Sequence, residues 1–451
     1  MRTVLIAVLF HAATGLASAQ RVTTTELSHV TVIDGAGHVQ KDVTVMIEND
    51  RIYSIGQIQP GAVMPPNTHT IDMTGKYIMP LIIDCHSHVG NLKGITTSGE
   101  NYTPANVRQQ LIRFQNFGVG AILSMGTEQP IGVSIRDSSK AGLIPGATMY
   151  SAIYGFGVKG AMPPEGMGFT HIYRPETPEE AIRMVDELVP LHPDVIKMWV
   201  DDFYGQFRKD QIMKPEIYKA IIKEAHAHGI RVAAHLYHLS DAHQLVDAGL
   251  DIMAHSIRDA GIDDALIAQM LANHVTYIPT LSLDEFAFAY EDGPDWLADP
   301  RFKASLEPGV YEMITSAAYK DKISKSAVTP QEKAALPMAL KNLEKLFHAG
   351  VPVVLGTDAG ASPIRAQGFS EHMEMQLMAR AGLSPIQVIR IATLNGAILL
   401  HLNTDLGTLE RNKKASFIVL DKDPTKDIRN TLSILEVWKD GVKVSDGPLT
   451  Q

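Results

Sequence analysis

One cysteine, Cys85, stands in 451 residues, so no disulfide can form within the chain and a cystine-stapled fold is excluded. Positive charge is also in short supply. Forty lysines and arginines face 50 aspartates and glutamates, a net charge of -10, which argues against nucleic acid and anionic membranes as partners because both reward clustered cations. Past the first twenty residues no apolar run is long enough to cross a bilayer, so no membrane anchor is expected. Aromatic residues make up only 6% of the chain, which makes their crowding between residues 282 and 328 conspicuous.

The N-terminus reads as an export signal. Arg2 is followed by a mostly apolar stretch from Val4 to Leu16 and by Ala17-Ser18-Ala19, a small-x-small cleavage site before Gln20. Residues 1–19 are therefore expected to be a signal peptide cleaved after Ala19, and the protein to be secreted or periplasmic. With no cysteine at the cleavage point, a lipid anchor is not expected.

Short alternating apolar segments, among them Ser28 to Gly35, Asp42 to Ile47 and Arg51 to Gly56, mark residues 20–75 as strands. The same texture returns in Ala415 to Leu420 and Val437 to Val444, so residues 20–75 and 403–451 are expected to pair into a small β-sandwich domain. Between them, over residues 76–402, strand-like and helix-like segments alternate. The candidate strands are Tyr77 to Asp84, Gly120 to Met125, Ala147 to Ile153, Val195 to Val200, Arg231 to His235, Asp251 to His255, Thr276 to Leu281 and Val351 to Gly356. Helical periodicity marks Pro178 to Val189, Pro215 to His228, Gln331 to His348, Glu371 to Ala381 and Pro385 to Leu400. Eight such units predict an α/β protein, a (β/α)8 TIM barrel with insertions. A doubly wound sheet would not bring the strand ends into a ring. Residues 282–328 form an insertion carrying Phe286, Phe288, Tyr290, Trp296, Phe302, Tyr311 and Tyr319, read either as a lid over the barrel mouth or as a helical excursion burying its own aromatics.

The chemistry begins at Asp84-Cys85-His86-Ser87-His88. A strand alternates its faces, so His86 and His88 point the same way and two nitrogens can share a metal. In a barrel the chemistry gathers where strands end. Strand five ends in His235, strand six in His255 and strand eight in Asp358, while Lys197 sits between Ile196 and Met198 in strand four, where an ammonium suffers desolvation unless deprotonated, paired or modified. Each has an ordinary alternative: a satisfied core histidine, an aspartate capping a turn, a lysine snorkelling out. Their coincidence on five strands favours a metal site.

The order His-x-His, Lys, His, His, Asp on strands one, four, five, six and eight resembles the amidohydrolase superfamily of metal-dependent hydrolases, in its imidazolonepropionase-like and prolidase-like branch. The likeness runs through Met79-Pro80, Asp194-Val195-Ile196-Lys197, Ala234-His235-Leu236-Tyr237, Ala254-His255-Ser256, Leu355-Gly356-Thr357-Asp358 and Ala392-Thr393-Leu394-Asn395 to Asp421-Lys422-Asp423-Pro424. Leu81 stands where the family usually has glycine and Ser416 where it has aspartate; neither is a ligand position. The resemblance implies that Lys197 is carboxylated on its side-chain nitrogen and bridges two divalent metal ions, usually Zn2+. One ion would take His86, His88, Lys197 and Asp358, the other Lys197, His235 and His255. It further implies a hydroxide nucleophile held between the metals, with Asp358 as the catalytic acid and base.

The substrate is less legible. Tyr237, two residues past His235, is a candidate for catalysis and for binding the substrate carbonyl. Arg258 is a candidate for gripping a substrate carboxylate, with a salt bridge to Asp259 or Asp202 as the alternative. His238, His243 and His372 are read as structural. The leading expectation is an enzyme cleaving an amide bond of a dipeptide or N-acyl amino acid. Alternatives are a lactone, cyclic amide or xenobiotic amide or ester as substrate, a mononuclear deaminase, disfavoured by Lys197, and a non-catalytic metal-stabilised scaffold. A homo-oligomer is compatible with the sequence.

Overall fold

The computed structural model describes residues 23–58, 61, 63–203, 205–208 and 211–449. The export signal expected at residues 1–19 lies outside them. No helix among the described residues is long and apolar enough to cross a membrane.

The two ends of the chain pair, but edge to edge. Thr24–Ile33 lies antiparallel to Val39–Glu48, which lies antiparallel to Arg51–Gly56. On its other edge Thr24–Ile33 runs parallel to His69–Asp72 and Tyr77–Pro80. Tyr77–Pro80 then pairs with Phe417–Leu420, and Ile434–Lys439 and Val442–Ser445 complete the row. The terminal segments thus join through one eight-stranded hydrogen-bonded sheet, whose far strand Arg51–Gly56 folds back so that Ile52 N donates to Lys413 O at 2.9 Å. The reason is that Tyr77–Pro80, which the apolar run placed at the start of the first barrel strand, offers both its edges to the terminal segments. Leu27, Val32, Val45, Ile52, Phe417 and Trp438 share one core beneath it.

Leu81 separates that strand from Ile82–Ser87, the first barrel strand. Ile82–Ser87, Val119–Ser124 and Thr148–Ser151 run parallel, as do Ile196–Trp199, Val232–His235, Ile252–Ala254 and Thr276–Ile278. Backbone hydrogen bonds join the two groups. Phe156 N donates to Lys197 O at 2.8 Å on one side. On the other, Tyr277 N donates to Pro352 O at 2.8 Å and Cys85 N to Leu355 O at 2.8 Å. The eighth segment, expected as a strand over Val351 to Gly356, is therefore held by single bridges, yet it carries the pairing back to the first strand. The result is a TIM-barrel-like α/β arrangement.

Helices pack outside it at nearly the expected places: Pro178–Leu188, Pro215–Ala227, Thr329–His348 and Phe369–Arg380. The first starts as its sequence dictates, with Pro178 in the first turn and the Thr177 hydroxyl accepting from Glu180 N at 3.2 Å. The helix expected over Pro385 to Leu400 is broken by a π-turn at Ile391–Asn395, where the Asn395 side chain donates to Val353 O at 2.8 Å and ties the turn to the eighth segment.

The insertion folds as helices Leu281–Phe288, Pro300–Ala304, Val310–Thr315 and Ala317–Lys325. Its aromatics pack on one another: Trp296 lies 4.9 Å from Phe302 between ring centres, and Phe302 lies 5.2 Å from Phe369. The insertion thus buries its own rings while contributing Leu283 and Ala287 to the barrel cavity.

Candidate metal centre

Strand alternation sends His86 and His88 to one side of the first barrel strand, with ring centres 5.9 Å apart. Asp358 turns back toward them: its Oδ1 lies 3.0 Å from His88 Nε2 and 3.4 Å from His86 Nε2, and the three ligand atoms fall within 4.8 Å of one another. The His255 ring centre is 4.5 Å from that of His86 and 4.2 Å from that of His235, while Lys197 Nζ lies 3.5 Å from His86 Nε2. The structure therefore brings all six residues singled out from strand ends together in one place.

Two of them hold unusual backbone conformations. His255 has φ 78° and Asp358 φ 59°, left-handed values that cost roughly 1–3 kcal/mol each in a residue with a Cβ. Backbone hydrogen bonds enforce them, from His255 N to Ile278 O at 2.9 Å and from Asp358 N to His86 O at 2.7 Å. The loop then folds beneath His88 at Gly360, φ 83°, where a Cβ would stand 2.0 Å from His88 O. Only glycine lets the chain return that closely.

Burial decides the protonation of the ring nitrogens. Removal from water, reinforced by Lys197, pushes His86 down to about 3, and His235 and His255 well below the ordinary histidine range. They are neutral imidazoles with lone pairs to offer. Lys197 is fully buried, and desolvation, outweighing Asp358 and Asp201, lowers it to about 7. Among the described residues it has no carboxylate at ion-pair distance. Burial works to raise Asp358, but the charge of Arg365 and hydrogen bonds from His86 and His88 outweigh it and hold the carboxyl well below its usual range.

These donors fit divalent cations. His235 Nε2 is buried without a hydrogen-bond partner, Asp201 Oδ1 being 3.5 Å away, and His86 turns its Nε2 toward Asp358 and Lys197. A buried lone pair with nothing to accept is costly unless an ion takes it. Imidazole nitrogens with a carboxylate oxygen form a donor set suited to zinc and similar ions. Hydroxyls orient the rings from behind, Thr127 Oγ1 lying 3.0 Å from His88 Nδ1 and Thr280 Oγ1 lying 2.7 Å from His255 Nδ1.

Below the centre, Asp84 accepts from His86 N at 2.8 Å and from the Thr357 hydroxyl at 2.6 Å. Burial raises Asp84 to about 6 and, together with the neighbouring Asp84 charge, raises Glu371 well above its usual value, so this pair retains a proton and braces the floor. The sequence did not point to these roles, nor to Phe203, whose ring stacks on His235 with centres 4.3 Å apart. Arg365, ion-paired with Asp358, was missed too. Asp84 and Thr357 at least adjoin ligands, whereas Phe203 and Arg365 sit in loops with no local signal.

Over the centre lies a cavity of about 330 Å³. Phe169, Trp199, Phe203 and Leu283 form an apolar wall, while Asn91, Arg258, Glu332 and Arg365 supply polar groups. Arg258 reaches this wall but is bound to Asp284 at 2.8 Å, not to Asp259 or Asp202. Tyr237 is buried under the Arg258 guanidinium, 4.9 Å from its ring centre, and its hydroxyl accepts from the Gln331 side chain at 3.3 Å. It is not among the residues that wall the cavity. His238 bridges Asp202 and Asp259, His243 bridges Asp263 and Gln269, and His372 lies between Thr431 and Phe117 O, all structural placements.

This architecture has known counterparts. An imidazolonepropionase from Cutibacterium acnes is 25% identical over 403 residues, covering 84% of each chain. A crystallised Xaa-Pro dipeptidase with bound methionine superposes with a TM-score of 0.74 at 21% identity, covering 94% of this chain and all of its own. A putative prolidase from Bifidobacterium longum does so with a TM-score of 0.74 at 24% identity, covering 95% of this chain and 97% of its own. The family model described as Amidohydrolase family matches residues 77–444. The chain belongs to the amidohydrolase family, and it is a hydrolase acting on carbon–nitrogen bonds.

Proposed function

We propose that this protein is an exported amidohydrolase that cleaves the amide bond of a dipeptide or an N-acyl amino acid, with two zinc ions and a carboxylated Lys197 at its centre. His86, His88, Lys197 and Asp358 would hold one ion and Lys197, His235 and His255 the other. Divalent ions held there would lower the pKa of bound water from about 15.7 towards about 7 and would polarise the scissile carbonyl. Asp358, buried beside His86 and His88, takes the proton of the attacking water and passes it to the leaving amine. Trp199 and Phe203 exclude bulk water and receive apolar parts of the substrate. A carbamate, formed when the neutral Lys197 amine adds carbon dioxide and releases a proton, would replace a buried cation by an anionic oxygen ligand whose charge the bound cations would offset.

The observation that carries the reading is the meeting of His86, His88, His235, His255 and Asp358 with one fully buried lysine that, among the described residues, has no carboxylate at ion-pair distance. Solved neighbours described as dipeptidase and prolidase support the substrate class. A second reading keeps the centre and changes the substrate to a cyclic or xenobiotic amide. Likeness to an imidazolonepropionase along most of the chain favours it.

The test is a library of dipeptides and N-acyl amino acids offered to zinc-loaded protein, with metal counted by elemental analysis. Turnover with about two equivalents of metal, both turnover and one equivalent being lost in Lys197→Ala, is the expected result. Turnover retained by Lys197→Ala with both ions bound would remove the bridge, and silence across the library would move the assignment to the second reading. Export rests on the stretch from Val4 to Ala19. N-terminal sequencing of the mature protein should begin at Gln20.

A further inference from the structure

We propose that Arg365 is the specificity-determining residue that binds the free carboxylate of the substrate, next to the scissile bond. The inference rests on the amide-cleaving reading above and names the group by which that substrate is recognised. Among the described residues two guanidinium groups reach the cavity, and their surroundings differ. Arg258 donates to Asp284 and to Leu236 O, and its side chain is 1% exposed with Asp284 at 2%, so its charge is already matched inside the protein. The Arg365 side chain is 24% exposed and lines the cavity beside His86, His88, His235 and His255.

Arg365 uses one nitrogen on the protein. Its Nη1 donates to Asp358 Oδ2, while Asp358 Oδ1 faces His88 and His86. Among the described residues neither Nε nor Nη2 has a hydrogen-bond partner, Nε being buried. With Nε sealed from the cavity, the guanidinium still offers Nη2 and the second proton of Nη1 to another carboxylate, an end-on pairing that its planar fork allows. The loop that carries it is fixed before any substrate arrives. Gly360 N donates to Arg365 O at 3.1 Å, Arg365 N to Ser362 O at 3.0 Å, and the Tyr290 hydroxyl to Ile364 O at 2.6 Å. The donors are therefore placed without an ordering cost on binding.

Position completes the argument. In a dipeptide or N-acyl amino acid the terminal carboxylate is separated from the scissile nitrogen only by the α-carbon. An anchor for it must stand beside the reacting centre, and Arg365 touches the carboxylate that faces the paired histidines.

The experiment measures binding as well as turnover. Zinc-loaded wild type, Arg365→Met and Arg365→Lys are titrated by calorimetry with a panel of N-acetyl amino acids and the matching N-acetyl amino acid amides, metal content being checked in each. Wild type should favour acids over amides by roughly 10- to 100-fold, the span of charge-assisted hydrogen bonds. Arg365→Met should lose that preference with its metal retained, and Arg365→Lys should recover part of it. A wild type indifferent to the carboxylate, or a preference that survives in Arg365→Met, overturns the proposal. If the library shows no amide hydrolysis but the acid preference appears and disappears as stated, the substrate reading fails while the role of Arg365 stands.

Discussion

The Nδ1 atom of His255 lies 2.7 Å from the hydroxyl oxygen of Thr280, a residue that itself adopts a left-handed backbone, φ 49°, at the start of the helix Leu281–Phe288. A neutral imidazole that donates from Nδ1 keeps the Nε2 lone pair for a cation, and the Thr280 hydroxyl is placed to accept that hydrogen bond in the metal-binding tautomer. Thr280→Val preserves the shape and removes the acceptor. Metal affinity measured against a competing chelator should fall roughly 10- to 100-fold, with the folded structure intact by circular dichroism. Unchanged affinity would show that ring packing alone orients His255.

The ligands were legible in the sequence because their arrangement follows from local rules. Strand alternation pairs His86 with His88, and strand ends in a ring of β/α units collect His235, His255 and Asp358. What supports them was not legible, because it depends on chain returns that no local pattern encodes. Thr280 meets His255 across 25 residues through a left-handed turn, and Arg365 meets Asp358 only because Gly360 lets the loop fold under His88. Likewise, period-two alternation identified strands at both termini and suggested that the two ends pair, but not the order of the strands. Tyr77–Pro80 joins the two ends by sharing both its edges.

Arg258 and Asp284 form an ion pair that is almost wholly out of water. Burial raises the Asp284 carboxyl despite the pull of Arg258, a sign that the aspartate depends on its partner. Removing one member of such a pair strands the other charge, at a cost of about 3–5 kcal/mol. Arg258→Met should therefore lower the free energy of unfolding by about that amount in denaturant titrations. Adding Asp284→Leu should restore most of it, since the stranded charge goes as well. An Arg258→Met protein as stable as its parent would contradict this structural role.

His372 tests how a buried histidine sets the acid limb of stability away from the metal centre. It is enclosed between Thr431 Oγ1 and Phe117 O, each at 2.9 Å, and burial lowers it to about 4. The folded protein thus keeps His372 neutral while the unfolded chain, near its ordinary value of about 6.5, takes up a proton. Its contribution is complete above about pH 6.5 and is lost as the pH falls from there towards about 4, because only the unfolded state gains the proton in that window. At pH 5 the loss amounts to roughly 2 kcal/mol. In paired denaturant titrations at pH 7.5 and pH 5, the wild type should lose about 2 kcal/mol more than His372→Gln, whose amide does not titrate. Equal losses in the two proteins would mean that His372 takes its proton in the folded state as readily as in the unfolded one, and that its enclosure by Thr431 and Phe117 does not exclude charge.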